Sequence, residues 1–325
     1  MNELSYSAVE LTSPTGLSLP LLTRLSSFRC LADLHKSLSY CQDESSIAVV
    51  SKPLKAVAER AVNATDEDLS MMFGGDLPLK VAEMVSKCDL HQRSTLETRN
   101  LWQDIACSLQ DTMNVGSGVV SRGPMFVDKL LFETKPEWQA IGHVSPSDAM
   151  QVYQEALALL DAVWPEAALE VAWQSRRILP LQLLDDQVWR NASCNSAPFS
   201  YVVTLSPSDI VEACEGILHE CMHLRLHLVE SITPLLDDPL QIPKYRHAWR
   251  PDLRPSRGVL LAAHAFFNIY RFYIRLRKAG FKTDSVATEK IASGVRFALI
   301  SLVEGGVLTS LGLGVSRAMI RGLDS

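Results

Sequence analysis

The sequence predicts an α-rich α+β fold, with amphipathic helices around one small sheet. Three observations predict it. Apolar residues recur at helical spacing over much of the chain. Two Ser-Pro-Ser-Asp runs, at Ser145 and Ser206, carry helix-start chemistry. Ser200–Leu205 is the best strand, with β-branched and aromatic residues bounded by turn formers.

Taken in order, residues 17–42 place Leu21, Leu22, Leu25, Phe28, Leu31 and Leu34 on one helical face, and residues 92–114 behave alike. Gly74, Gly75 and Asp76 mark a turn between them, and residues 116–124 read as loop. Ser145 is placed to cap a helix that has Pro146 in its first turn and stops before Pro165. Residues 169–173 and 178–184 are expected as short strands, the second confined to a sheet edge by Pro180. After Ser200–Leu205, a helix opens at Ser206 to Asp209 and runs to about Ile232. A proline- and charge-rich connection covers residues 234–257. Helices are then expected over 258–278, ending at Gly280, over 286–303, and from there to the C-terminus. The chain divides into a helical N-terminal region, 1–144, and a metal-binding catalytic region, 145–325, which can equally form one continuous domain.

Bulk properties narrow the function. A net charge of −6 gives no global field for nucleic acid, although basic residues gather between Lys244 and Lys278. The seven cysteines (Cys30, Cys41, Cys88, Cys107, Cys194, Cys214, Cys221) are odd in number, irregularly spaced and contain no CxxC pair. That argues against a disulfide framework or cysteine-rich zinc site and leads us to expect reduced thiols in a cytoplasmic protein. The opening Met1-Asn2-Glu3-Leu4 lacks the basic and apolar parts of a signal peptide. The longest apolar run, 258–269, is too short for a membrane span and contains His264.

His219-Glu220-Cys221-Met222-His223 fits H-E-x-x-H. On a helix, residues i and i+4 share a face, so both imidazoles can reach one cation. Glu220 sits about 100° around from His219, where it can approach a metal-bound water. Ile217, Leu218, Met222 and Leu224 surround the motif, and burying two histidines and a glutamate among them is costly unless they are bound to something. The local pattern, strand then capped metal helix, is zincin-like. His227 adds a histidine one turn on, but three ligands on consecutive turns of a straight helix do not converge, so it is read as supporting or structural.

A mononuclear site needs a third protein ligand. The next helix offers no carboxylate of the kind that completes thermolysin-like sites, but it does offer His264. His264 is therefore the expected third ligand, with His247 in the connection as the alternative. Ahead of that helix lies Trp249-Arg250-Pro251-Asp252-Leu253-Arg254-Pro255-Ser256-Arg257-Gly258. Three arginines on a proline-stiffened segment suit bidentate carboxylate binding, which a peptidase has little need of beside its metal.

The combination of His219-Glu220-x-x-His223, Trp249-Arg250-Pro251-Asp252-x-Arg254-Pro255, Gly258 and His264-Ala265-Phe266 resembles the HExxH-motif peptide-modification proteins of natural-product gene clusters. Some of these are α-ketoglutarate-HExxH enzymes, iron- and 2-oxoglutarate-dependent β-hydroxylases that lack the usual jelly roll. The resemblance spans about residues 200–270 and leaves the N-terminal region unmatched. It implies Fe(II) held by His219, His223 and His264, 2-oxoglutarate as co-substrate bound by one or more of Arg250, Arg254 and Arg257, and Glu220 orienting water or substrate. The substrate would be an amino acid or a residue in a peptide, such as a ribosomal precursor peptide or a carrier-bound amino acid, with neither nucleic acid nor membrane as partner. The competing reading is a zinc peptidase in which Glu220 is the general base and strand Ser200–Leu205 pairs with an extended substrate. A metal-stabilised binding protein without catalysis is the third.

Overall fold

In the computed structural model of the chain, the described residues are 44–64, 124–127, 144–182, 190–193 and 199–324, with isolated positions at 27, 30, 31, 34, 81, 105, 106 and 109. The fold is α-rich α+β, with seven helices and two small sheets among these residues and no barrel. The helices are α1 (Glu44–Asn63), α2 (Pro146–Val163), α3 (Pro165–Gln174), α4 (Ile210–Ile232), α5 (Ser256–Lys278), α6 (Ser285–Glu304) and α7 (Ser310–Gly322). The strands are β1 (Met125–Phe126), β2 (Arg177–Gln182), β3 (Ala192–Ser193), β4 (Ser200–Leu205), β5 (Tyr245–His247) and β6 (Arg250–Arg254). The expected helix over 17–42 and that over 92–114 lie outside the described residues, apart from helical positions such as Leu31, Leu34 and Ile105. The Gly74–Asp76 turn and the loop over 116–123 lie outside them as well.

Local chemistry sets most boundaries. Ser145 Oγ accepts from the Asp148 amide at 3.2 Å and caps α2, and Pro165 blocks its continuation. Residues 169–173 are not a strand but the second half of α3. Pro165 in its first turn, Glu166 at its positive end and Ala167 and Ala168 behind them outweigh a short apolar run. The cap of α4 is Asp209, which accepts from the Glu212 amide at 3.0 Å, while Ser206 Oγ turns to Ser208 Oγ. Helix α5 starts two residues earlier than expected and terminates where Gly280 adopts φ +88°.

The main sheet has the order β1-β2-β4-β3, with β1, β2 and β4 parallel and β3 antiparallel at the edge. Strand β2 is therefore internal, not an edge strand as Pro180 led us to expect. The proline is tolerated because β1 pairs only with Arg177 and Ile178, so Pro180 lies beyond its end. All six residues of β4 are buried, and the chain passes from β4 directly into α4. One face of α4, marked by Ala213, Ile217, Cys221, Leu224 and Leu228, is buried in the core against α2, α3, β4 and α5. The opposite stripe is polar: Glu212, Glu215, His219, His223 and His227. Helix α5 runs antiparallel to α4, since Arg257 meets His227, His264 meets Met222, and Tyr273 meets Glu215.

The connection 234–257 folds into the β5–β6 hairpin, whose register shifts between Arg246 and His247. No helix among the described residues is long and apolar enough to cross a membrane. Cys30, Cys214 and Cys221 are free thiols; the remaining cysteines lie outside the described residues.

Candidate metal centre

His219, Glu220 and His223 come together on α4, each offering one ligand atom, and these atoms all lie within 4.8 Å of one another. The two imidazoles meet edge to face with centroids 4.5 Å apart. Phe266 of α5 packs edge-on to His219 at 4.9 Å and is itself stacked on Trp249 at 4.1 Å and 18°. This aromatic wall limits the rotamers open to His219. Gly216, one turn before His219, lets the sheet close on the helix: an added Cβ would lie 2.9 Å from Asn191 Nδ2 and 3.2 Å from Val203 Cγ2.

Glu220 is only 2% exposed, and its Oε2 has no hydrogen-bond partner among the described residues. Burial raises its carboxyl to about 8, with the Ser193 side chain pulling the other way. A buried carboxylate oxygen left open beside two imidazoles is a costly arrangement that a cation would relieve. The donor set therefore fits a divalent metal such as iron or zinc, with His219, His223 and Glu220 to hold it.

The cluster opens into a cavity of about 540 Å³, lined along α4 by the polar stripe, on the sheet side by Asn191, Ala192 and Ser193, and on the other by the hairpin and α5. Arg250 and Arg254 line it; Arg257 does not. Arg254 Nε sits 2.7 Å from Asp252 Oδ2. Arg250 is exposed and forms no ion pair with any described residue. Arg257 is committed elsewhere, with Nε 2.9 Å from Glu230 Oε2 and Nη2 2.9 Å from His227 Nδ1.

His264 stands apart from the cluster. It is fully buried, and its Nδ1 lies 3.1 Å from the Met222 carbonyl oxygen. From α5 the cavity is lined by Gly258, Leu261, Ala262 and Phe266, and His264 is not among the lining residues. His247 is on β5, where its backbone pairs with Arg250; its side chain lies outside the described residues.

Glu212 and Glu215 are cavity residues that sequence reasoning passed over. Burial raises Glu215 to about 7, opposed by its 2.5 Å hydrogen bond from Tyr273 Oη and reinforced by Glu212 and Asp209. Their signal was present: Glu215, His219, His223 and His227 recur every fourth residue on one face. Trp249 and Phe266 gave no such signal, because only the packing of the hairpin on α5 brings them to His219.

No protein-family model matches the chain, and a comparison with curated proteins finds no match. The class is thus defined by fold and site alone: an α+β protein with an HExxH-type His/Glu/His group that can hold a metal ion.

Proposed function

We propose that the protein is a non-haem iron(II), 2-oxoglutarate-dependent hydroxylase that modifies a peptide residue or an amino acid. The observation that carries this reading is the single cavity holding both the His219–Glu220–His223 cluster and the side chains of Arg250 and Arg254. Two histidines and one carboxylate are the donor composition of non-haem iron oxygenases. A zinc peptidase of HExxH type would keep Glu220 off the metal and draw a third ligand from another element. Among the described residues no histidine, cysteine or carboxylate from another element joins the group.

Iron(II) with 2-oxoglutarate supplies the oxidising power for hydroxylation of an unactivated C–H bond. The protein's own residues bind, orient and exclude water. His219, Glu220 and His223 hold the metal on a rigid helix whose other face is core. Arg250 or Arg254 anchors the far carboxylate of the keto acid through charge-assisted hydrogen bonds. Trp249 and Phe266 form an apolar wall beside His219 that shields the metal's surroundings from water.

The zinc-peptidase alternative draws on one observation, the edge strand β3, whose Ala192 and Ser193 line the cavity. Strand β4, the sequence's candidate for substrate pairing, is paired along its whole length by β2 on one side and at Tyr201 and Val202 by β3 on the other. Metal analysis of anaerobically purified protein with an assay of 2-oxoglutarate consumption separates the readings. Iron and consumption of the keto acid are expected. Zinc with metal-dependent peptide cleavage, and no keto-acid consumption, would replace the hydroxylase by the peptidase.

A further inference from the structure

His227 lines the metal cavity one helical turn beyond His223, and its surroundings fix which ring nitrogen carries the proton. Arg257 Nη2 lies 2.9 Å from His227 Nδ1. A guanidinium remains protonated and offers only donors, so Nδ1 must accept and the proton of the neutral imidazole sits on Nε2. Glu230 would impose the opposite tautomer if it accepted from Nδ1. Its Oε2, however, is 3.8 Å from that nitrogen, beyond hydrogen-bond reach, and is taken by Arg257 Nε at 2.9 Å. Burial disfavours the imidazolium, Arg257 adds to that effect, and Glu230 opposes it, with the net shift downward. Nε2 has no hydrogen-bond partner among the described residues, and with Nδ1 held by Arg257 it is the ring's remaining polar atom, left to the cavity.

Arg254 lies at the same end. The next cavity residue, Gly258, adjoins Arg257, and a Cβ on Gly258 would come 3.9 Å from Arg254 Cβ. A neutral N–H donor at that end of the cavity, with the cavity-lining Arg254 rooted nearby, is complementary to a carboxylate, which accepts from such donors. We propose that His227 is a ligand-binding residue, locked by Arg257 as the Nε2–H tautomer, which donates to a carboxylate oxygen of the molecule in the cavity and does not ligate the metal. This deepens the reading of the cavity as a carboxylate-binding metal site and rests on it. With its Nε2 lone pair used by the proton, the third histidine of the stripe is unavailable to the cation that His219 and His223 face. The carboxylate belongs either to 2-oxoglutarate or to an acidic substrate.

The first test needs neither metal nor ligand. Long-range ¹H–¹⁵N correlation spectra of the full chain with ¹⁵N-labelled histidine, assigned through His227→Gln, should show His227 with protonated Nε2 and bare Nδ1 at neutral pH. A protonated Nδ1, an imidazolium or an exchanging mixture of tautomers overturns the proposal. The second test titrates two probes, 2-oxoglutarate and N-acetyl-aspartate amide, into anaerobic iron(II)-loaded protein by calorimetry. His227→Leu should weaken one of them about tenfold, as loss of one hydrogen bond to a charged group implies. Whichever probe is weakened identifies the carboxylate. His227→Gln, whose amide N–H can stand in for Nε2–H, should stay within about threefold of the parent. Iron stoichiometry should not change. Affinity unchanged for both probes, or metal loss in His227→Leu as severe as in His219→Ala, refutes the assignment. If the parent binds no 2-oxoglutarate, the hydroxylase reading fails, while the tautomer and the acidic probe still judge His227.

Discussion

Arg225 places Nη1 2.8 Å from both carboxylate oxygens of Glu170, with neither side chain more than 1% exposed. Gln174 Nε2 donates to the same carboxylate at 2.8 Å. The pair joins α3 to the metal helix two residues past His223, on the face turned away from the cavity. Removing one partner of such a buried pair leaves an uncompensated charge and typically costs about 3–5 kcal/mol. Arg225→Met and Glu170→Leu should each lower unfolding free energy by that order in urea titrations, and the double variant should be more stable than the sum of the two predicts. Additive losses would show that the pair does not act as a unit.

A second prediction concerns Glu215, whose carboxyl burial raises to about 7, against the Tyr273 hydrogen bond and together with Glu212 and Asp209. In the unfolded chain this carboxyl ionises near its ordinary value of 4.5. Between those limits the folded state binds more protons, so stability is greatest below the lower value and declines as pH rises to the upper one. The decline should reach up to about 3 kcal/mol from this group. Glu215→Gln should be less sensitive to pH between 5 and 8 in urea titrations of metal-free protein. An unchanged pH slope would place the group's titration elsewhere.

Much of this was legible in the sequence because local chemistry decides it. The start of α2, the span of α5 and the His219/His223 face follow from caps, proline and glycine positions and i, i+4 spacing. What failed depended on partners far along the chain. Residues 169–173 are too short a run for periodicity to separate strand from helix. Pro180 points to an edge strand in the sequence because the length of β1 is not written in β2. Sequence distance brings α5, and with it His264, beside α4 but does not set the rotation that decides whether His264 reaches the cluster. Gly258, Leu261, Ala262 and Phe266 line the cavity, and His264 is not among its lining residues. Likewise, three arginines could not be ranked until the hairpin turned two toward the cavity and Arg257 toward Glu230.

The rotation of α5 yields a third prediction. His219→Ala and His223→Ala should abolish stoichiometric metal binding. His264→Ala should reduce thermal stability, because it removes the contact with the Met222 carbonyl from a fully buried site, yet retain metal at close to the parent's stoichiometry. Metal analysis beside a melting curve measures both. Loss of metal from a folded His264→Ala protein would make His264 a ligand after all.

The fourth concerns protons. The Glu220 carboxyl, raised by burial to about 8 against the Ser193 side chain, is mostly protonated at neutral pH in the metal-free protein. A cation takes the carboxylate, so metal uptake must expel that proton. Calorimetry at pH 7 in buffers of different ionisation enthalpy should report nearly one proton released per metal, with affinity rising up to about pH 8 and levelling above it. Glu220→Gln should bind metal more weakly and release no such proton. Equal proton release by the two proteins would mean that Glu220 is not displaced from its acid form by the metal.

The last prediction separates the three arginines. Arg250 and Arg254 line the metal cavity, whereas Arg257 is held by Glu230 and His227. A keto acid chelating a metal at His219–His223 has its far carboxylate about two methylenes away, within a walled site where a charge-assisted hydrogen bond is worth about 1.5–3 kcal/mol. Arg250→Leu or Arg254→Leu should therefore raise the 2-oxoglutarate concentration needed for half-maximal turnover by about tenfold or more. Metal content should hold. Lysine at the responsible position should rescue only partly, because it lacks the planar fork. Arg257→Leu should act by another route: it strips Glu230 of its cation and releases the His227 tautomer, so both stability and ligand affinity fall, and lysine restores neither hydrogen-bond pattern in full. Following the iron(II)–keto acid absorption band during anaerobic titration, with a melting curve for each variant, distinguishes the two routes. If Arg250→Leu and Arg254→Leu both titrate like the parent while Arg257→Leu alone loses affinity without loss of stability, the carboxylate anchor is Arg257 and the hairpin arginines serve the substrate.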